Sequence, residues 1–380
     1  MVQTPTGAIT LPPPFATRSA ENLPRIAPDD ELPRLHAAPG WSVNLFAEGL
    51  GETRWLARAP NGDIFATEHE HGRVYVLRDA DGDGRAEMRT VFAEGLTQPF
   101  GLAFDERHGA LLVANTDGIV RFPYANGDTR ASAPPQPVLE LPGHGYHQHW
   151  ARNVVLSSDG VHLFVSVGSA TNVSAERDPR RGAISIYDLD GRNGRVFAGG
   201  LRNPVGMAVH PRTGALFTVV NERDELGDDL VPDYLTEVRD GAFYGWPYSY
   251  FGPHEDPRRR GERPDLVARA VVPDLSLGAH VAALGLIFHS GHNAPSDMAG
   301  DALVAMHGSW NRSRPVGYRV VRVRFRDGRP TSVIEDFVSG WLENDRVARG
   351  RPVGLVEAAN GDVLIADDGA GRVWRVHFGG

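Results

Sequence analysis

The chain has 380 residues, of which 41% are hydrophobic and 23% are charged, a composition typical of a globular protein. Its 39 basic and 48 acidic side chains leave a net charge of −9, which argues against a phosphate-backbone partner such as nucleic acid. Because the chain has neither cysteine nor lysine, disulfides, thiolate nucleophiles, Schiff-base chemistry and a Walker-type phosphate loop are excluded.

The N-terminal part of the chain, up to about residue 38, is rich in proline, and we expect it to wrap the outside of the folded domain. Its opening, MVQTPTGAITLPPPF, has neither the charged start nor the apolar core of a signal peptide. No apolar run in the sequence reaches the roughly 18 to 20 residues that a membrane span needs. We therefore expect no membrane span.

A repeated phrase of turn, short apolar strand, turn and second strand organises the rest of the chain. The first core residues of its six copies are Ile64, Leu111, Leu163, Leu216, Leu303 and Val363. Their spacings are 47, 52, 53, 87 and 60 residues, close to the repeat length of a propeller blade. A β-sandwich would not repeat one phrase six times. The sequence therefore predicts an all-β fold, a single six-bladed β-propeller over residues 1–380.

The fourth interval is longer than the others because it contains residues 221–265, from NERDELGDD to GERPD. We expect this stretch to form a long inter-blade loop, and loops of such length are usually functional.

Two polar groups directly precede predicted inner strands. In HGYHQHWARN, His144, His147 and His149 lie close together, and a neutral imidazole is the usual general base near pH 7. In GLRNPVGMAV, Arg202 and Asn203 place a cation beside an amide donor, a pair suited to polarising a carbonyl or holding a carboxylate. Alternatively, the histidines are polar loop residues or an accidental metal cluster, and the Arg–Asn pair is a surface turn.

Two acidic loops are candidates for calcium, which prefers oxygen ligands. NERDELGDD carries a dense set of carboxylates over residues 221–229, although a solvated acidic loop is the alternative. DADGDGRAE has Asp79, Asp81 and Asp83 at the odd spacing of a calcium loop, but its twelfth position is Thr90 instead of Glu. A polar hairpin turn fits that second loop at least as well.

Near the C-terminus, arginines again stand at the entrance to predicted inner strands. ARGRPVGLV contains Arg349 and Arg351, at the place in the repeat that Arg202 occupies earlier in the chain. MHGSWNRSRP adds His307, Trp310, Asn311 and Arg312. Arginines that converge from three blades would suit an anionic, planar ligand.

These motifs resemble those of the quinoprotein sugar dehydrogenases, the soluble glucose and aldose sugar dehydrogenase family, and most of all its L-sorbosone dehydrogenase-like branch. The resemblance runs from about Trp41 to the C-terminus and rests on GLRNPVGMAVHPRTG, NERDELGDDL with PDYLT, GAFYGWPYSY and HGSWNRS. It implies a six-bladed propeller that binds pyrroloquinoline quinone (PQQ) with Ca²⁺ and oxidises a sugar or aldehyde hydrate at C1 by hydride transfer to PQQ.

The resemblance also implies roles for individual residues. His149 corresponds to the catalytic base, and Arg202 and Asn203 correspond to the pair at the reactive quinone carbonyl. The other implied PQQ contacts are Gln98, His307, Asn311, Arg312, Arg349 and Arg351. The backbone carbonyls of Glu222 and Arg223 would hold the cofactor's calcium, and Asp228, Asp229 and Tyr244 lie near where the family can have a second one.

The sequence departs from the family pattern at two positions. These departures bear on which substrate is oxidised and how fast, more than on which class of cofactor is bound. The lysine that the soluble glucose dehydrogenases place against PQQ is missing, and His307, Asn311 or Arg312 would replace it. Gln148 stands where they have an aspartate before the catalytic histidine, so we expect a less basic His149. Family members usually work in the periplasm or outside the cell and pass electrons to an external acceptor.

Two rival functions fit the same architecture. A calcium-dependent lactonase would use the acidic loop as metal ligands, but a neutral lactone gives the arginines nothing to pair with. A non-catalytic binding scaffold would account for the repeats but not for the combination of His149, Arg202 and Asn203.

Overall fold

Six antiparallel sheets of four or five strands follow one another along the chain in the computed structural model, which describes residues 1–27, 32–143 and 149–379. The first strands of successive sheets contact one another in a closed ring, in which the sixth sheet returns to the first. The sheets are therefore the blades of a propeller, and the predicted all-β, six-bladed fold is confirmed.

The first three blades each consist of four consecutive strands, ordered from the innermost to the outermost. Blade 1 contains Thr53–Arg58, Ile64–Glu68, Arg73–Arg78 and Met88–Ala93. Blade 2 contains Leu102–Asp105, Ala110–Asn115, Gly118–Pro123 and Gln136–Glu140, with a short 3₁₀ helix at Glu106–His108. Blade 3 contains Arg152–Leu156, His162–Val167, Ala183–Asp188 and Arg195–Gly199.

The other three blades receive additions to this pattern. Blade 4 contains Asn203–Val209, Leu216–Asn221, Pro232–Glu237 and Leu275–Ala279. Blade 5 contains Ala283–Phe288, Ala302–Met306, Arg319–Arg326 and Arg329–Ser339, with His36–Ala37 as a fifth strand. Blade 6 contains Pro352–Glu357, Val363–Asp367, Arg372–Phe378 and, from the N-terminal side, Trp41–Ala47.

The repeated phrase corresponds to the second and third strands of a blade, as in Ile64–Glu68 and Arg73–Arg78 of blade 1. Its six core residues, from Ile64 to Val363, lie in the second strands and are all less than 5% exposed. They pack in the apolar layers between neighbouring blades. Trp41–Ala47 pairs with Arg372–Phe378, so strands from the two ends of the sequence complete one blade and close the ring.

The N-terminal segment lies against loops of blades 4, 5 and 6. Val2–Thr4 and Gly7–Ile9 form a hairpin, and Val2 packs against the core of blade 4. Farther along, Arg25–Ile26 pairs in parallel with Val347–Ala348, beside Leu342–Asn344. The segment therefore crosses several blades.

The expectation for residues 221–265 needs correction, because this stretch is not one inter-blade loop. It contains Pro232–Glu237, the third strand of blade 4, and the true insertion lies between that strand and the fourth. The insertion carries the short hairpin of Ser249–Tyr250 with His254–Glu255 and the helix Pro264–Ala268. The sequence pattern missed the third strand because it is almost fully buried and does not alternate between polar and apolar residues.

Among the described residues, no helix is long and apolar enough to cross a membrane.

Candidate functional site

The candidate site is a cavity at the face of the ring where the first strands begin and the second strands end. Antiparallel pairing brings these ends together in every blade. The cavity has a volume of about 340 Å³ and is lined by Arg54, His149, Arg202, Asn203, Asn221, Glu222, Asp224, Asp233, His280, Ala282, Leu284, His307, Trp310 and Arg351. The structure therefore brings His149, Arg202, Asn203, Glu222, His307 and Arg351 together, as the sequence predicted.

His149 lies just before the first strand of blade 3, with a left-handed backbone (φ 50°). Its Nδ1 is 3.0 Å from both the carbonyl oxygen and the hydroxyl of Ser169, and that hydroxyl donates to the carbonyl of Thr171. A carbonyl can only accept, so Nδ1 carries the hydrogen and Nε2 holds the free lone pair. Nε2 has no hydrogen-bond partner within the part of the chain that the structure describes.

The surroundings of His149 keep its ring neutral. Burial is the main cause, and the positive charge of Arg202 adds to it; together they lower the pKa of His149 to about 3. At neutral pH the imidazole is therefore an uncharged acceptor. The sequence predicted a less basic histidine on account of Gln148, but Gln148, His144 and His147 lie outside the described residues.

Arg202 is held by hydrogen bonds on all sides. Its guanidinium donates to the Glu222 carbonyl at 2.7 Å and to the side-chain and backbone oxygens of Asn172, and it pairs with Asp224 at 2.9 Å. Because these bonds use its N–H groups, Arg202 contributes a fixed positive charge to the cavity more than a free hydrogen-bond donor. The free donor is its neighbour, because the Asn203 Nδ2 makes no hydrogen bond to any described residue, while its Oδ1 is buried without a partner.

Close packing of Gly168 sets the distance between His149 and Asn203. A Cβ atom at Gly168 would lie 2.3 Å from Asn203 Oδ1 and 2.7 Å from His149 Cβ. Since real contacts are not that short, a side chain here would displace both residues.

The opposite wall holds a second neutral imidazole. His307 Nε2 lies 2.9 Å from the carboxylate of Asp368, which also pairs with Arg54. Although burial opposes ionisation, His307 and Arg54 hold the pKa of Asp368 well below its ordinary value. Burial and the charge of Arg351 lower the pKa of His307 to about 4. The ionised Asp368 can only accept, so His307 carries its hydrogen on Nε2.

Arg54 was not predicted from the sequence. It lies in a β-bulge at the start of the first strand of blade 1, and its guanidinium is 5.2 Å from the ring of Trp150. Its Nε is buried and has no hydrogen-bond partner among the residues that the structure describes. The repeat could have identified it, because Arg54, Arg202 and Arg351 all stand at the entrance to a first strand.

The two C-terminal arginines differ, although they are two residues apart. Arg351 lines the cavity and donates to the carbonyls of His307 and Gly308 at 3.2 and 3.0 Å. Arg349 does not line it, contrary to the prediction, and its Nε instead donates to Glu343 at 2.7 Å on the neighbouring surface. Gly350, which lies between them, packs against Asp367 so closely that a Cβ atom there would be 2.1 Å from its carboxylate.

One end of the cavity is acidic. Asp224 accepts from Arg202 and lies 3.4 Å from His280, and these cations lower the pKa of Asp224 although burial opposes them. Asp233 accepts from the backbone amides of Glu222 and Ala282, and burial raises its pKa. The oxygens at this end are the donors that a hard cation could use.

Several predicted residues do not line this cavity. Arg223 is fully buried between Glu222 and Asp256. Asn311 accepts from the backbone of Glu225, and Arg312 pairs with Asp229 while Asp228 accepts from Ser313. Tyr244 donates to the Glu237 carbonyl, and Gln98 accepts from Thr116. These residues hold the loops around the cavity, because their polar atoms find partners within the chain itself.

The second acidic loop is an exposed turn in blade 1. Carboxylate oxygens of Asp79, Asp81, Asp83 and Glu87 lie within 4.8 Å of one another. Asp79 accepts from the backbone amides of Gly82 and Gly84, as a polar hairpin turn does.

A family model described as TrAA12-like matches residues 35–234 and 264–378. The chain belongs to the TrAA12-like family. The matched ranges include every residue that lines the cavity.

Two relatives of this TrAA12-like chain are similar over most of its length. An uncharacterized protein of Borreliella burgdorferi is 30% identical over 365 residues, which cover 93% of each protein. The pyrroloquinoline quinone-dependent pyranose dehydrogenase of Coprinopsis cinerea is 24% identical over 90% of this chain. That relative is longer, and the alignment spans 54% of its length.

Two solved structures share the fold of this TrAA12-like chain. The holo form of the pyranose dehydrogenase PQQ domain from Coprinopsis cinerea superposes with a TM-score of 0.79 at 21% identity, over 91% of this chain and 97% of that domain. The calcium structure of the Trichoderma reesei family AA12 enzyme gives a TM-score of 0.77 at 21% identity, with the same two coverages. Both likenesses support the propeller architecture.

Proposed function

We propose that this protein is a quinoprotein dehydrogenase that oxidises an aldose or a sugar aldehyde of the sorbosone type at C1, with PQQ as its cofactor. The observation that carries the proposal is the fixed tautomer of His149, whose bare Nε2 belongs to the wall of an arginine-lined cavity. Such a nitrogen can take the proton of a substrate hydroxyl.

The residues of the cavity fit a planar, anionic cofactor. Its volume of about 340 Å³ falls in the range of small-molecule sites. Arg54 and Arg351 supply positive charge on one wall, and the buried Nε of Arg54 lacks a partner that a carboxylate oxygen would provide. We assign PQQ to Arg54, Asn203, His307 and Arg351. Gln98, Asn311, Arg312 and Arg349 are not in this assignment, because they do not line the cavity.

The protein's part in the reaction is to hold charge and move one proton. When bound, PQQ supplies an electrophilic carbonyl that accepts a hydride from the sugar carbon. His149 Nε2 accepts the hydroxyl proton, while the hydrogen bond from Nδ1 to Ser169 keeps the ring in place. Arg202 provides a fixed positive charge next to His149, and the Asn203 amide is the donor available to a developing oxyanion.

Calcium would bind at the acidic end of the cavity. Glu222 and Asp224 line that end, whereas Arg223 is turned into the core. We propose the backbone carbonyls of Glu222 and Arg223 and the Asp224 carboxylate as oxygen ligands, since the direction of the Arg223 side chain does not bear on its carbonyl. The second calcium site, at Asp228, Asp229 and Tyr244, gains no support, since the Tyr244 hydroxyl donates to the Glu237 carbonyl and Asp229 pairs with Arg312.

Electrons would leave the reduced cofactor for an external acceptor, and we place the enzyme in the periplasm or outside the cell. The pyranose dehydrogenase of Coprinopsis cinerea, a PQQ-dependent enzyme, supports the sugar and the cofactor.

Titration of the purified protein with PQQ and CaCl₂ tests the proposal. Cofactor absorbance should saturate near one PQQ per chain, and aldoses or sorbosone should then reduce a redox dye. Absence of PQQ binding in the presence of calcium would contradict the cofactor assignment, and PQQ binding without dye reduction by any sugar would contradict the substrate class.

A further inference from the structure

Trp310 is an exposed aromatic residue at the mouth of the cavity. It is 42% exposed and lines the cavity beside His307 and Arg351. All seven tryptophans lie in the described part of the chain, and Trp310 is the one whose side chain is exposed. An exposed indole next to a polar site indicates a surface that a ligand covers.

The loop that carries Trp310 is fixed from below. Ser309 exchanges hydrogen bonds with Val316 at 2.9 Å, through backbone and hydroxyl, and the Tyr318 hydroxyl donates to the Ser309 carbonyl at 3.0 Å. Gly308 N donates to the carbonyl of Val281 in the neighbouring loop at 3.0 Å. The indole is therefore exposed on a loop that hydrogen bonds hold in place at both ends.

The N-terminal segment holds the same loop from above. The backbone amide of Asn22 donates to the Trp310 carbonyl at 2.8 Å, and its side chain donates to the Ser313 carbonyl at 2.9 Å. Asn311 donates to the carbonyl of Ala20 at 3.2 Å. The segment covers the backbone on both sides of Trp310 while the indole stays uncovered, so this arrangement presents the ring instead of burying it.

Besides Trp310, the described residues that line the cavity offer two aliphatic side chains, Ala282 and Leu284, and are otherwise polar. His280 and Asn221, which are not in the PQQ assignment, line the same cavity and can bind hydroxyl groups. A pyranose has hydroxyl groups at its edge and a face of C–H bonds, and an aromatic ring covers such a face well. A planar anion would instead be held by the guanidiniums of Arg54 and Arg351.

We infer that Trp310 is the specificity-determining platform on which the apolar face of a pyranose ring stacks, positioned by the N-terminal segment. This inference rests on the proposed function, because it names how that site holds its sugar. It assigns Trp310 to binding and leaves the chemistry to His149.

Sugar binding and kinetics test the inference together. Titration of the PQQ-free protein with the best aldose should change its tryptophan fluorescence, and Trp310→Phe should remove most of that change. With PQQ and calcium bound, Trp310→Ala should raise KM for the aldose by about tenfold, or about 1.4 kcal/mol, with kcat within threefold and PQQ affinity within twofold of wild type. Trp310→Phe should keep part of the affinity.

Phe15→Ala is the matched control, since Phe15 is a 57% exposed aromatic of the N-terminal segment that does not line the cavity. It should leave KM unchanged. An unchanged KM in Trp310→Ala, or a tenfold loss of PQQ affinity in that variant, would overturn the inference, and the latter would make Trp310 a cofactor platform. If no sugar is oxidised, the fluorescence titration is made with the same panel of aldoses and sorbosone and still decides: a sugar-dependent change that Trp310→Phe abolishes supports the platform, and no change with any of them overturns it.

Discussion

Two cavities of similar volume lie on opposite faces of the propeller. The candidate site measures about 340 Å³, and a second cavity of about 400 Å³ lies between blades 6 and 1, at the turns that join first and second strands. Both are lined by arginines and acidic side chains. They differ in whether those groups already have partners within the chain.

In the second cavity, which we call the turn-face cavity, the repeat satisfies its own polar groups. Arg78 donates to both oxygens of Asp63 at 2.7 and 2.6 Å, and Asn61 donates to the same carboxylate. Asp362 accepts hydrogen bonds from the Arg375 side chain at 2.5 Å and from the Asn360 side chain at 2.8 Å. These Asn-Gly-Asp turns are therefore structural parts of the blades.

At the candidate site, by contrast, polar atoms remain without partners among the described residues. Arg54 Nε and Asn203 Oδ1 are buried and unpaired, and His149 Nε2 is a bare acceptor. Unpaired buried polar groups are unfavourable in a folded protein, and those at this cavity are groups that a bound ligand would complete. Cavity volume does not separate the two cavities, whereas hydrogen bonding does.

Replacement of His149 should give the largest effect on activity. We expect His149→Ala to lower kcat by about 10²-fold or more, because it removes the bare Nε2 that accepts the substrate proton, while PQQ affinity stays within threefold. Dye-reduction kinetics and a PQQ titration measure the two quantities. Asp362→Asn, in the turn-face cavity, is the control and should keep wild-type kcat. Equal losses of kcat in both variants would contradict the conclusion that only the candidate site, of these two cavities, serves the reaction.

The acid limit of activity should lie well below the ordinary pKa of histidine. A base works only when it is unprotonated, and the pKa of His149 is lowered from 6.5 to about 3, so its base form persists as the pH falls. A histidine of pKa 6.5 would be about 30-fold less available at pH 5 than at pH 8. We expect kcat/KM to retain most of its value at pH 5. A loss near pH 6.5, matched by an NMR titration of the His149 ring, would contradict the buried, Arg202-facing environment.

Arg351 and Arg349 provide a matched pair for cofactor binding. Arg351→Gln should weaken PQQ binding by about tenfold or more, because Arg351 lines the cavity and a charged hydrogen bond is lost. Arg349→Gln should change the PQQ affinity by less than twofold, since Arg349 pairs with Glu343 on the surface. Equal weakening in both variants would favour the sequence-based prediction that both arginines hold the cofactor.

The sequence predicted the fold more completely than the candidate site. The spacing from Ile64 to Val363 identified six blades because each second strand buries its apolar residues in the same way. Position in the repeat also located Arg202 and Arg351. It did not reveal the direction of the Arg349 side chain or the bulge that aims Arg54, because both depend on local backbone geometry. Asp368 was missed because its partners lie in other blades: His307 is 61 residues away, and Arg54, which meets it across the closure of the ring, is 314 residues away.

The turn-face pairs should contribute stability without contributing to activity. Asp362 is 2% exposed and holds Arg375, so Asp362→Asn leaves a guanidinium without its counter-charge. We expect the free energy of unfolding to fall by about 2 kcal/mol, between the values for exposed and fully buried ion pairs, with kcat and KM unchanged. Urea unfolding of the apoprotein measures the first quantity and steady-state kinetics the second. A change in KM would mean that the turn-face cavity takes part in function. Its paired side chains lie on the opposite face of the propeller from the candidate site, so they could affect substrate binding only through the ring of first strands.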